Sequence, residues 1–229
     1  MIKKTLSLAI ILLFTTGLLG AKEKPVPLSK FKQTDIGNPA IAGSSKIQDN
    51  SLSITAGGAD IWGTKDEFRF SYVEKTGDFD LVARIESLSA SNLYTKAGLM
   101  AREELTADSR HIFFQVFPNN SPRNKNNGGY EFQYRLAKAG EMKAIYPSKF
   151  EGVPEFPVNY PNTWIRLKRA GNNFTGFYST DRKTWKAFAS FTEELSKKIY
   201  LGLAVTSHNT KEAATALFTD IAFINSAKK

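Results

Sequence analysis

The sequence predicts an all-β protein, a jelly-roll-like sandwich of two antiparallel sheets, and three observations carry that expectation. From Ile47 onward, apolar and polar residues alternate with a period of two in one short segment after another, the pattern of strands with one buried face. Gly, Asn, Asp and Pro separate these segments, and such residues break strands into turns. No sustained 3.6-residue period follows residue 21, and the best helical candidate is one turn around Thr192–Ser196. More than ten short strands in a chain of 229 residues call for two packed sheets.

In chain order, residues 1–21 come first. Lys3 and Lys4 precede an apolar run from Leu6 to Leu19, and the small residues Gly20 and Ala21 close it before Lys22-Glu-Lys24. A basic start, an apolar stretch and a small-residue boundary make a secretory signal peptide cleaved after Ala21. The run is shorter than the ~20 residues a membrane span needs. Residues 22–34 are expected to be a flexible extension, and residues 35–225 one sandwich domain. Strands are expected at 68–73, 79–86, 96–103, 111–117, 129–136, 164–169, 174–180, 198–207 and 214–224. Residues 119–128 form a polar loop without apolar anchors. Residues 146–162 form a second loop, with Pro147, Pro154, Pro157 and Pro161 among Phe150, Phe156 and Tyr160, and its aromatics are expected to pack on the body or line a groove.

Composition narrows the function classes. The absence of cysteine excludes disulfides, thiolate metal sites and a catalytic thiol. His111 and His208, the two histidines, leave little for zinc. The formal charge of +9 becomes +7 once Lys3 and Lys4 are removed, enough for weak, non-specific attraction of anions. The basic residues are scattered and no nucleic-acid module is visible, so no nucleic-acid partner is expected. For an exported protein of this charge, acidic polysaccharide or an anionic envelope in the periplasm or outside the cell is the expected partner, and plain solubility is the competing reading of the charge.

Four motifs occur in order: Gly58-Ala-Asp-Ile-Trp-Gly63; Lys96-Ala-Gly-Leu-Met-Ala-Arg-Glu103; Trp164-Ile-Arg-Leu-Lys-Arg169 with Gly171-Asn-Asn-Phe-Thr-Gly-Phe-Tyr-Ser179; and Gly202-Leu-Ala-Val-Thr-Ser-His208. Together they resemble the bacterial concanavalin A-like domains that carry a "regulation of enolase" label and are related to domains appended to β-xylosidases. The resemblance covers about residues 35–224. It implies a lectin/glucanase-type jelly roll and an accessory role on exported carbohydrate machinery, and it implies no shared catalytic site.

Alternation sorts the remaining side chains by face. With Leu81, Ala83 and Ile85 inward, Arg84 and Glu86 point out. By the same parity Lys96 and Arg102, then Gln115, then Glu131, Gln133 and Arg135, then Arg166 face away from the core. Planar polar groups bind sugar hydroxyls, and aromatic faces cover the apolar side of the ring. The predicted ligand face is therefore Lys96, Arg102, Gln115, Gln133, Arg135 and Arg166, with Trp62 or the Tyr146–Tyr160 loop as an aromatic wall. Its mostly positive sign points to uronate or sulfated glycans. The competing reading is a solvated sheet face with Arg–Glu cross-strand pairs.

Catalytic residues are not predicted. A glycosidase needs two carboxylates about 5–9.5 Å apart, the E-x-D-x-x-E strand signature is absent, and adjacent Glu103 and Glu104 point to opposite faces. Tyr94-Thr-Lys-Ala-Gly98 is faintly similar to a strand motif of alginate lyases, whose Arg-rich and Gln-x-His motifs are missing. His208 reads as a hydrogen-bonded structural histidine. Asp60, Asp66 and Glu67 around one turn, with Asp220 near the end, are the candidates for structural calcium. Turn capping is the default for them, and no cofactor is predicted. The expected function is thus an exported, non-catalytic carbohydrate-binding or accessory module. Its alternatives are a glycoside hydrolase or polysaccharide lyase using the same face, or a protein-interaction domain.

Overall fold

A computed structural model describes residues 22–119, 129–145 and 157–225. The expected signal segment, most of the polar loop and residues 146–156, Tyr146 among them, lie outside the described residues. Along the chain run β1 (Lys22–Pro25), β2 (Lys32–Ile36), β3 (Ser44–Gln48), β4 (Ser51–Gly58), β5 (Ile61–Trp62), β6 (Lys65–Asp66), β7 (Phe68–Thr76), β8 (Phe79–Leu88) and β9 (Lys96–Arg102). Then follow β10 (His111–Val116), β11 (Tyr130–Arg135), β12 (Lys143–Ile145), β13 (Thr163–Ala170), β14 (Asn173–Ser179), β15 (Lys186–Thr192), β16 (Lys198–Thr206) and β17 (Asn209–Asn225). The one helical turn among the described residues is a 3₁₀ turn at Leu28–Lys30. The turn expected near Thr192–Ser196 is not helical.

Two antiparallel sheets make the sandwich. A seven-stranded sheet runs β12-β11-β10-β9-β16-β7-β2, and an eight-stranded sheet runs β15-β14-β13-β8-β17-β4-β3 with β1 added on β17. Between them lies the main core, where Leu81, Ala83, Ile85, Leu99, Ile112, Phe114, Phe132, Ile165, Leu167 and Leu203 are all fully buried. These are the inward positions that alternation predicts, and burying each large one contributes roughly 1.5–3 kcal/mol.

Residues 22–34, expected as a flexible extension, are instead built into both sheets. β1 pairs with β17, β2 pairs with β7, and Val26, Leu28 and Phe31 are buried in the main core. Three apolar anchors spaced among polar residues were enough to order a segment whose composition looked like a tail. The sandwich therefore includes residues 22–34 as well as those from 35 onward.

The outer face of the seven-stranded sheet departs further from expectation. Nearly every residue of β9, β10 and β11 is buried on both faces. Residues 59–67, which include the β5–β6 hairpin, and the 103–110 loop fold over that face. The Asp66 amide donates to the Ala107 carbonyl at 2.9 Å, and the Met142 amide to Gly63 at 3.1 Å. Beneath them a second, smaller apolar cluster forms from Ile36, Ile61, Phe68, Phe70, Met100 and Phe113. Glycine makes this excursion feasible at Gly58, whose φ of +124° is unfavourable for other residues and whose added Cβ would lie 2.1 Å from the Glu67 carbonyl oxygen.

Candidate functional site

The covering layer leaves one end of the outer face open, and a cavity of about 270 Å³ forms there, lined by Asp60, Trp62, Tyr94, Lys96, Phe117, Glu131, Gln133 and His208. Its residues come from five separate stretches, three of which hydrogen bonds tie together. The Thr206 hydroxyl donates to the Glu67 carbonyl at 2.8 Å and the Ser207 hydroxyl to the Gly58 carbonyl at 3.2 Å, clamping the 58–67 excursion to the end of β16. The hydroxyls of Ser91 and Thr95 both donate to the Ser207 carbonyl at 2.8 Å, holding the loop that carries Tyr94. The Tyr94 amide donates to the Asn92 side chain at 2.9 Å, fixing that loop locally.

An ionic triad forms one wall. The Lys96 ammonium donates to Asp60 Oδ1 at 2.6 Å and to the Ile61 carbonyl at 3.0 Å, while His208 Nε2 lies 3.2 Å from Asp60 Oδ2. Burial alone would raise the Asp60 carboxyl, but the His208 hydrogen bond and the Lys96 charge outweigh it and hold the carboxyl below its usual range. The bond to Asp60 in turn raises His208 above the ordinary histidine value, against partial desolvation. Lys96 also sits 5.4 Å from the Trp62 ring centre, a cation–π contact. The opposite wall is polar, with the Gln133 amide donating to Glu131 Oε1 at 2.7 Å.

Two aromatic side chains stand at the mouth. Trp62 and Tyr94 are 41% and 45% exposed, unusual for rings of this size. Tyr94 packs 5.3 Å from the His208 ring and edge-on to Phe117 at 6.4 Å.

Of the residues predicted from the sequence, Lys96, Gln133 and Trp62 line this cavity. Gln115 is fully buried and stands opposite Glu131 and Gly98 in the sheet register. The other three do not join them. Arg135 is fully buried, gripping both oxygens of Asp66 at 2.7 and 2.8 Å and the carbonyls of Gly140 and Gly63 at 2.9 and 3.0 Å. Arg102 is also fully buried, 3.6 Å from the same carboxylate, with its guanidinium on Glu104 and Thr106 carbonyls. Both arginines do leave the core by strand parity, but Asp66 on the covering hairpin takes their charge. Their charge is thus taken up inside the protein.

Arg166 belongs to the other sheet. It makes two 2.6 Å hydrogen bonds to Asp80 on the outer face of the eight-stranded sheet, under Phe177 and Trp185 rings 4.9 and 5.8 Å away. Parity placed it outward correctly but could not say on which side of the sandwich. Arg166→Ala is expected to cost about 1–3 kcal/mol by stranding Asp80, as read by denaturant unfolding, and to leave binding at the cavity unchanged.

Trp164 and Trp185 are structural: Trp164 Nε1 donates to Asp220 at 3.1 Å and Trp185 Nε1 to the Arg182 carbonyl at 3.1 Å. The calcium candidates are engaged elsewhere: Asp60 by Lys96 and His208, Asp66 by two arginines, Asp220 by Arg182 at 3.0 Å, and Glu67 by the Ala59 amide at 3.0 Å. Among the described residues no group of three His, Asp or Glu is placed to hold a metal ion. Also among them, no helix is long and apolar enough to cross a membrane.

Sequence reasoning missed Asp60, Tyr94, Glu131 and His208 as site residues. The signal was present for two of them. Asp60 and His208 lie in the first and last of the four motifs, and the fold brings those motifs into contact.

No protein-family model matches this sequence, and no curated protein sequence matches it. Solved structures do. A functionally unknown protein from Saccharomyces cerevisiae superposes with a TM-score of 0.63 at 15% identity, over 88% of this chain and 99% of that one. The carbohydrate-binding module CBM66 from Bacillus subtilis gives 0.53 at 15%, over 84% and 95%. The GH43 protein BlXynB from Bacillus licheniformis gives 0.53 at 12%, over 78% of this chain but only 34% of that one. Such distant likenesses establish the architecture, and with the two packed sheets they show that the chain folds as a concanavalin A-like jelly-roll sandwich.

Proposed function

We propose that this protein is an exported, non-catalytic glycan-binding module whose site is the cavity between Trp62, Tyr94, Lys96, Gln133 and His208. The single observation that carries the reading is the pair of half-exposed rings beside a compact set of hydrogen-bonding groups. Sugar rings need both, an aromatic surface for their C–H face and planar polar groups for their hydroxyls. The structural likeness to a carbohydrate-binding module supports it, and the signal-like residues 1–21 support a periplasmic or extracellular location.

One observation favours an enzyme instead: two carboxylates, Asp60 and Glu131, line the same cavity. Asp60, however, is engaged on one oxygen by Lys96 and on the other by His208, whereas a glycosidase needs both carboxylates free to face the bond it cleaves. Release of shortened oligosaccharides from any polysaccharide would favour this alternative. A protein-interaction role requires a broad apolar patch, but of the four exposed large apolar side chains among the described residues, Trp62 and Tyr94 belong to the cavity.

Trp62→Ala is expected to weaken glycan binding about tenfold or more by removing the stacking surface. It should shift unfolding by less than about 1 kcal/mol, because the ring is half-exposed. Titration calorimetry and a denaturant curve on the same variant check both halves. Unaltered affinity would place the site elsewhere.

A further inference from the structure

Beneath the cavity the sheet carries buried side-chain amide atoms with no hydrogen-bond partner. Gln115 is fully buried, and neither its Nε2 nor its Oε1 has a hydrogen bond; Gln133 is 1% exposed and its Oε1 is likewise unpartnered. Leaving such groups unsatisfied costs about 1–3 kcal/mol each, so a folded protein keeps them only where something compensates. Their position says what. Gln133 lines the cavity, and Gln115 is flanked in the sheet by Glu131 and by Gly98 of β9, with the lining residue Phe117 two residues on in the chain. Gly98 makes the room: an added Cβ there would lie 2.6 Å from the Gln115 Cα and 2.9 Å from its Cβ.

The charges around this floor are already spent. Lys96, the one Lys or Arg among the described residues that line the cavity, is bound to Asp60. Arg102 and Arg135 are sealed against Asp66, and Arg166 is on the opposite sheet against Asp80. Glu131 and Asp60 add two carboxylates to the lining. Among the described residues, a uronate or sulfate brought here would meet no lining cation that lacks a carboxylate partner, and it would face the Glu131 carboxyl group.

Resting on the glycan-binding reading above, we propose that the site takes a neutral sugar residue, with Gln115 and Gln133 as its floor reading hydroxyl groups. A hydroxyl both donates and accepts, as an amide does, so a polyol satisfies the Gln115 donor and acceptor together. A carboxylate or sulfate, acceptors only, cannot. This replaces the expectation of acidic glycans, which rested on arginines that the fold has withdrawn.

The test is a calorimetric panel on the full domain. It uses neutral tetrasaccharides of glucose, xylose, mannose and fructose, and acidic ones of galacturonate, mannuronate and sulfated galactose. Binding of at least one neutral member, changed less than about twofold between 50 and 500 mM NaCl, is the expected result, since no charge pair is made. Gln115→Leu should weaken that binding about tenfold. It should hold or raise the thermal midpoint, because an apolar group of similar shape removes two unsatisfied atoms. A residue with only a structural role would not separate the two readouts. Preference for the acidic members, weakened by salt, would overturn the neutral class while leaving glycan binding intact. Wild-type affinity in Gln115→Leu would overturn the floor. Absence of binding to every member would overturn the glycan reading itself and this proposal with it.

Discussion

Arg135→Ala is expected to lower the unfolding free energy by about 3–5 kcal/mol, the penalty for breaking a buried ion pair from one side. The guanidinium is fully buried and makes both of its short contacts to Asp66, itself fully buried. Its loss leaves that carboxylate to Arg102 and His111, each 3.6 Å away, and orphans the carbonyls of Gly63 and Gly140. Those carbonyls join the hairpin to the loop after β11, so the covering layer is expected to loosen with the lost charge. Glycan binding should weaken too, because Asp60 and Trp62 ride on the same excursion. Replacing Asp66 as well, with Arg135→Met and Asp66→Leu together, should not recover the stability, since it also strips the fully buried Arg102 of its carboxylate. Urea unfolding of the three proteins checks this; a loss under about 1 kcal/mol for Arg135→Ala would mean the cluster is not what holds the hairpin.

Acid is expected to unfold the protein partly through His111. Burial is the main cause that lowers this histidine, to about 4, assisted by the charges of Arg102 and Arg135 and opposed by Asp66. The unfolded chain takes up its proton below about 6.5, while the folded chain refuses it down to about 4. Stability therefore falls as pH drops from 6.5 to 4, by ~3 kcal/mol in total if the full shift is realised, and levels off below that. His208 acts in the opposite sense: its raised value makes its contribution complete below about 6.5 and lost as pH rises through the folded value. In His111→Gln the slope between pH 6.5 and 4 should flatten relative to wild type. Equal slopes in the two proteins would show that His111 is not held neutral.

The alternation of Phe79, Leu81, Ala83 and Ile85, and its counterparts in eight other segments, was enough to give the two-sheet architecture and most strand positions. Alternation reports that a side chain leaves the core; it does not report what waits on the other side. Arg102 and Arg135 point outward as expected, yet a second layer seals them, and the one residue that requires it, Asp66, looks like an ordinary turn aspartate in the sequence. Arg166 shows a related blind spot. Strand parity is a local property, whereas membership of one sheet or the other is set by long-range pairing, here of β13 with β8 and β14. The edge strands β3 and β12 were illegible because β3 is exposed and mostly polar and β12 is only three residues long. For the site, Lys96, Gln133 and Trp62 were readable as polar or aromatic groups off the core, whereas Tyr94 and His208 meet only through hydrogen bonds to Ser207 that no spacing reveals.

The most direct test of the site is backbone amide chemical-shift mapping by NMR with a pool of the neutral tetrasaccharides. The account predicts perturbations confined to residues around 60–62, 94–96, 115–117, 131–133 and 206–208. Perturbations on the outer face of β13 and β14, or none anywhere, would contradict it.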